Sequence, residues 1–199
     1  MKKISMILTI VTIGIFIIIL EGCDSCKCKP ALIGSQPVTL RAQETGNWCW
    51  AATTQMITEF LGHGRTQCDL ANERFARNDC CTSGCPKNAA CNIPGWTMFT
   101  ECGFTYSNSS APLTWEKIKF EIYCAKKPLS FAYGPKSGGV GHVLVIYGYA
   151  EMGDDKFLFL KDPWSPCNGT DRFITYQEYS NSATHNHWET AYSFKYTSE

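Results

Sequence analysis

The sequence predicts an α+β fold, with helices first and an antiparallel sheet packed beside them, and three observations carry that expectation. Apolar residues recur at helical spacing through residues 48–61 and again through 115–123. Five β-branched or aromatic runs then fill the second half: 129–133, 142–149, 156–161, 172–176 and 191–196. Gly, Pro, Asp and Asn separate those runs, as hairpin connections require.

Taken in chain order, the first segment is not expected to belong to the fold. Met1-Lys2-Lys3 is basic, and residues 7–20 are apolar apart from Thr9, Thr12 and Gly14. The run falls short of the roughly 20 residues that span a bilayer, so residues 1–22 read as a secretory signal peptide. Leu20-Glu21-Gly22-Cys23 resembles a bacterial lipobox, which makes Cys23 the expected site of lipidation. Glu21 departs from the small or apolar residue usual at its position, and plain cleavage to a secreted protein is the alternative. Residues 23–37, broken by Pro30, Gly34 and Pro37, read as a tether, and 38–199 as one domain.

Within that domain, residues 38–40 suggest a short lead-in strand. A helix starts at Trp48 and ends at Gly62 and Gly64, a shorter one covers 67–77, and a helical turn lies around 96–101. Thr114 caps a third helix over 115–125, which Lys126, Lys127 and Pro128 close. Residues 78–94 are loop-rich and cysteine-rich.

Eighteen basic residues balance eighteen acidic ones, so nothing draws the chain to nucleic acid. Twelve cysteines suit an exported protein in an oxidising compartment. With Cys23 reserved for lipid and Cys49 for chemistry, the other ten can form up to five disulfides. Cys68, Cys80, Cys81 and Cys91 lie close enough along the chain to staple one subregion. Cys80-Cys81 with Cys85 and Cys91 could instead hold zinc, but export and the even cysteine count favour disulfides.

Asn47-Trp48-Cys49-Trp50-Ala51-Ala52 sets a thiol at a helix N-terminus, where the partial positive charge favours a thiolate nucleophile. Residues 138–142, Gly-Gly-Val-Gly-His, put His142 at the mouth of a strongly apolar strand, with an imidazole able to take and return the thiol proton. Asp162, at the end of the next strand in Asp162-Pro163-Trp164, can orient that imidazole. Gln43, six residues before Cys49, can donate its amide to an oxyanion. His185 and His187 have no second pair to complete a metal site and read as part of a polar loop. No phosphate-binding glycine loop precedes a helix, so no cofactor is expected.

Gln43, Cys49-Trp50, Gly141-His142 with a following Gly-Tyr, and Asp162-Pro163-Trp164 together resemble the papain-like cysteine peptidases. The bacterial branch is the nearest in pattern, with its double-glycine leader peptidases and plant-pathogen effector proteases. Asp162 stands where papain has asparagine, although that branch commonly uses aspartate. The resemblance implies a left lobe of helices, a right lobe of sheet, a cleft between them, and hydrolysis through a thioester acyl-enzyme. It implies Cys49, His142 and Asp162 as catalytic residues, with Gln43 in the oxyanion hole. The partners expected are a peptide or protein substrate and, through Cys23, a membrane of the cell envelope; the protein is expected to act as a monomer. Acyl transfer, cell-wall amide hydrolysis and non-catalytic peptide binding remain the alternatives. Cleavage preference is not readable from the chain.

Overall fold

The computed structural model describes residues 28–81, 84–85 and 89–197; the signal peptide and Cys23 lie outside these residues. Seven strands form one antiparallel sheet: β1 (Ile33–Ser35), β2 (Phe104–Ser109), β3 (Leu129–Pro135), β4 (His142–Met152), β5 (Asp155–Asp162), β6 (Thr170–Thr175) and β7 (His185–Tyr196). The order is β2-β7-β3-β4-β5-β6. β1 pairs with the far half of β4, where β3 has ended.

Helix α1 (Cys49–Phe60) and helix α2 (Gln67–Phe75) precede most of the sheet in sequence. Helix α3 (Trp115–Lys119) runs on into a π-helical turn at Phe120–Cys124, and the short helix α4 (Tyr176–Ser180) follows β6. Thr114 caps α3 through its side chain, accepting from Lys117 N–H. The sequence places helix and sheet correctly, and the fold is the α+β, papain-like one.

Two cores explain why β4 reads as an unbroken apolar run. Val143 and Val145 join Trp50, Ala51, Met56, Ile57 and Leu70 on one face of the sheet. Leu144 and Ile146 join Trp115, Ile118, Ile122 and Tyr179 on the other. Alternate residues of a strand point to opposite faces, so a strand covered on both sides must be apolar at every position.

Three local expectations need correction. Residues 28–37 are no free tether: β1 pairs with β4, the Cys28–Cys124 disulfide ties the segment down, and the Gln36 amide donates to Ile122 O at 2.6 Å. The lead-in strand at 38–40 does not form; the strand lies earlier, at β1. His185 and His187 sit in β7, not a loop, and each hydrogen-bonds locally, to Ser182 at 2.8 Å and to Thr190 at 2.8 Å.

Four disulfides occur among the described residues: Cys28–Cys124, Cys68–Cys81, Cys80–Cys91 and Cys85–Cys167. The four local cysteines do pair among themselves, which leaves Cys80 and Cys91 no thiolate for a metal. Cys102 stays a buried thiol, and burial pushes it up to about 11. Such disulfide usage marks an extracellular or envelope protein. No helix of the described residues is long and apolar enough to cross a membrane.

Candidate active site

Cys49 is the first residue of α1, and its two tryptophan neighbours explain how the helix holds it there. Both indoles are fully buried. Trp48 Nε1 donates to Cys91 O at 2.7 Å and Trp50 Nε1 to Ile93 O at 3.2 Å, so the segment anchored by the Cys80–Cys91 disulfide holds the helix start through both indoles. A buried indole N–H needs such a partner. Thr53, one turn on, donates to Val143 O at 3.1 Å and fixes α1 against the strand that carries His142. Cys49 is unpaired and half-buried.

His142 opens β4 directly opposite Tyr133 of β3. Its Nε2 lies 2.6 Å from Asp162 Oδ1, which leaves Nδ1 free, and the Cys49 thiol is near enough to act on its charge. Burial works against the imidazolium. The hydrogen bonds and charges of Asp162 and Cys49 outweigh it, and His142 is pushed up to about 9. Asp162 is buried too, which disfavours its charge, yet His142, the Trp164 N–H and Arg172 hold it below the usual carboxylate value.

Gln43 is almost fully buried. Its backbone N–H donates to Pro163 O at 3.0 Å, and its carbonyl accepts from Cys167 N–H at 2.9 Å. Gln67 of α2 braces the same segment, donating to Ala42 O at 2.8 Å and accepting from Glu44 N–H at 2.9 Å. The Gln43 amide nitrogen donates to Thr45 O at 2.8 Å and Gly46 O at 2.7 Å, while its Oε1 is buried without a partner among the described residues. The structure thus brings Cys49 to the same cleft as the hydrogen-bonded His142–Asp162 pair and sets Gln43 on the loop leading to Cys49.

That cleft has two sides. One side is a cavity of about 420 Å³ lined by Arg74, Gly95, Trp96, Gly141 and Trp188 among others. The other, about 780 Å³, is lined by Asn47, Asp162, Trp164, Ser165 and Arg172. Cys49 and His142 border both. The Trp188 ring lies so close to Gly134 and Gly141 that a Cβ at either would meet it at 1.9 Å. Trp96 approaches Trp188 with ring centroids 6.1 Å apart, narrowing the first cavity.

Sequence reasoning missed Arg172, Tyr133, Gln67 and the position of Trp188. A buried Asp162 does signal a need for more than one partner. Which residue supplies it depends on hairpin register, and Arg172 lies diagonal to Asp162 across β5 and β6.

A helix-borne thiol facing a sheet-borne imidazole across a cleft defines the class of papain-like cysteine peptidases. The family model described as Peptidase_C39 like family matches residues 35–195, and the chain belongs to that family. It is a cysteine peptidase. No curated protein matches it. Among solved structures it is similar to digestive procathepsin L 3 of the Tenebrio molitor larval midgut, with a TM-score of 0.52 and 13% identity over 82% of this chain and 72% of that one. A structure from work on the mite allergens Blo t 1 and Der p 1 gives 0.51 and 11%, over 87% and 73%. A double glycine motif protease from an AMS/PCAT transporter, in complex with the leader peptide, gives 0.43 and 18%, over 86% and 100%.

Proposed function

We propose that this chain is an exported, lipid-anchored peptidase that cleaves peptide bonds through Cys49, His142 and Asp162. The observation that carries the reading is an unpaired Cys49, amid four disulfides, sharing the cleft with His142, which is hydrogen-bonded to Asp162.

Cys49 Sγ gives its proton to His142 Nδ1 and attacks the substrate carbonyl carbon. The carbonyl oxygen becomes an oxyanion, stabilised by the free N–H groups of the first turn of α1 and by Gln43 once one of its loop hydrogen bonds yields. The C–N bond then breaks, and His142 returns the proton to the departing amine, leaving a thioester on Cys49. Water attacks the thioester carbon as His142 takes its proton, and the acid leaves with the thiol restored. Asp162 holds the ring and carries the balancing charge throughout. Cys23 anchors the mature chain to the envelope after residues 1–22 are removed.

The test treats the disulfide-intact mature protein with iodoacetamide near neutral pH, in the wild type and in His142→Ala. Selective labelling of Cys49 that His142→Ala slows is expected; unchanged reactivity would sink the reading. Hydrolysis of an unfolded protein, lost in Cys49→Ala, is the second expected result. Incorporation of an added amine in place of hydrolysis would point to acyl transfer. Cys23→Ser should move the protein out of the membrane fraction, and continued membrane association would remove the lipid anchor from the account.

A further inference from the structure

Asp162 holds more partners than the orientation of one imidazole requires. Its Oδ1 takes both His142 Nε2 at 2.6 Å and the Trp164 N–H at 3.0 Å. Its Oδ2 accepts from Arg172 Nε at 2.7 Å. The same guanidinium donates through Nη2 to the Tyr133 hydroxyl at 3.2 Å, and the Tyr133 ring packs edge-on to His142 with centroids 5.7 Å apart. Residues of β3, β4, β5 and β6 therefore meet around one carboxylate.

We propose that Arg172 is a positioning residue that pins the outer oxygen of Asp162 and offsets part of its charge, so that His142 meets a fixed acceptor whose pull on the imidazolium is moderated. The inference rests on His142 being the proton carrier of the site, but not on which bond is cleaved.

The argument is electrostatic. A buried, uncompensated carboxylate beside an imidazole strongly favours the imidazolium. An imidazolium held too firmly returns its proton poorly to a leaving group. Asp162 is only 6% exposed, so water screens it little and a neighbouring cation must do so. Arg172 sits on the side away from His142, where it weakens the carboxylate's field without competing for Oδ1. The charged and titratable groups around this set are Cys49 on α1, Tyr133 on β3, Glu178 on α4 and His185 on β7. Glu178 is committed to the cap of α4, accepting from Thr175 N–H at 2.7 Å and Thr175 Oγ1 at 2.9 Å, so the direct ion pair of Arg172 is with Asp162.

The test is NMR titration of the His142 imidazole in the folded, disulfide-intact protein. Arg172→Met should raise its midpoint by roughly one pH unit, and Arg172→Lys should return it most of the way. Arg172→Gln, which keeps a donor but not the charge, should shift it in the same direction and covers the case in which the methionine variant does not fold. Asp162→Asn alone leaves the cation uncompensated and should lower the midpoint, while adding Arg172→Met to it should bring the midpoint back up. An unchanged or lowered midpoint in the charge-removing single variants, or no recovery in the double variant, overturns the inference. A shifted midpoint in a protein that hydrolyses no peptide would count against the proposed cleavage and leave the role of Arg172 standing.

Discussion

The carbonyl of Gln43 accepts a hydrogen bond from the backbone of Cys167 at 2.9 Å, and Cys167 is in turn disulfide-bonded to Cys85. The residue expected to face an oxyanion is thus held by a loop of the sheet half that is cross-linked to the cysteine-rich loop of the helical half. Replacing this pair, as Cys85→Ser with Cys167→Ser, should lower kcat at least tenfold and cost about 2–4 kcal/mol of stability. The control is Cys28→Ser with Cys124→Ser, which should lose stability in urea with kcat nearly unchanged. Equal kinetic losses in both would show that the strap has no special bearing on the site.

The raised value of His142 makes stability depend on pH with a definite sign. Its folded value is about 9 against an ordinary 6.5, so its proton stabilises the fold in full below about 6.5, and that contribution disappears as the pH rises through 9. Asp162 works in the opposite sense: it is held below 3.8, and its contribution is lost as the pH falls. Urea unfolding of the wild type and His142→Gln should differ by up to about 3 kcal/mol more at pH 6 than at pH 10. A difference independent of pH would refute the assignment.

Gly141 has no room for a side chain because Trp188 fills the space. Gly141→Ala should cost about 1–3 kcal/mol through overpacking and should raise KM by displacing the indole. Trp188→Ala in the same chain should restore stability and widen the accepted substrates. If the double variant is no better than Gly141→Ala, backbone conformation and not space governs the site.

Gln43→Ala separates a chemical role from a structural one. An oxyanion donor predicts a fall in kcat of about 10²–10³ with KM little changed. A mere brace for the Thr45–Gly46 loop predicts lower thermal stability and a higher KM with kcat preserved.

The parts of this fold legible in the sequence are those whose pattern is local. Helix α1 and strand β4 announce themselves through apolar spacing, and the cysteines at 68, 80, 81 and 91 through proximity. Strand β2, Phe-Thr-Tyr-Ser-Asn-Ser, is hidden because it lies at the sheet edge with little buried face. Helix α4, five residues long, is too short to show a period. At the site, Cys49, His142, Asp162 and Gln43 stand out because their residue types suit one chemistry. Arg172 does not, because its partnership with Asp162 depends on the β5–β6 register, which neither strand encodes alone. The Cys85–Cys167 bond joins positions 82 apart and is likewise a property of the folded chain.

If Cys23 carries lipid as proposed, the Cys28–Cys124 bond limits the length of the leash. Five residue steps separate Cys23 from Cys28, and a fully extended chain covers at most about 18 Å in that distance. An enzyme lipidated at Cys23 would therefore ride against the bilayer surface instead of swinging on a long stalk. Its substrates would be polypeptides that pass within a few nanometres of the membrane, and its cleft would meet them from a restricted range of angles.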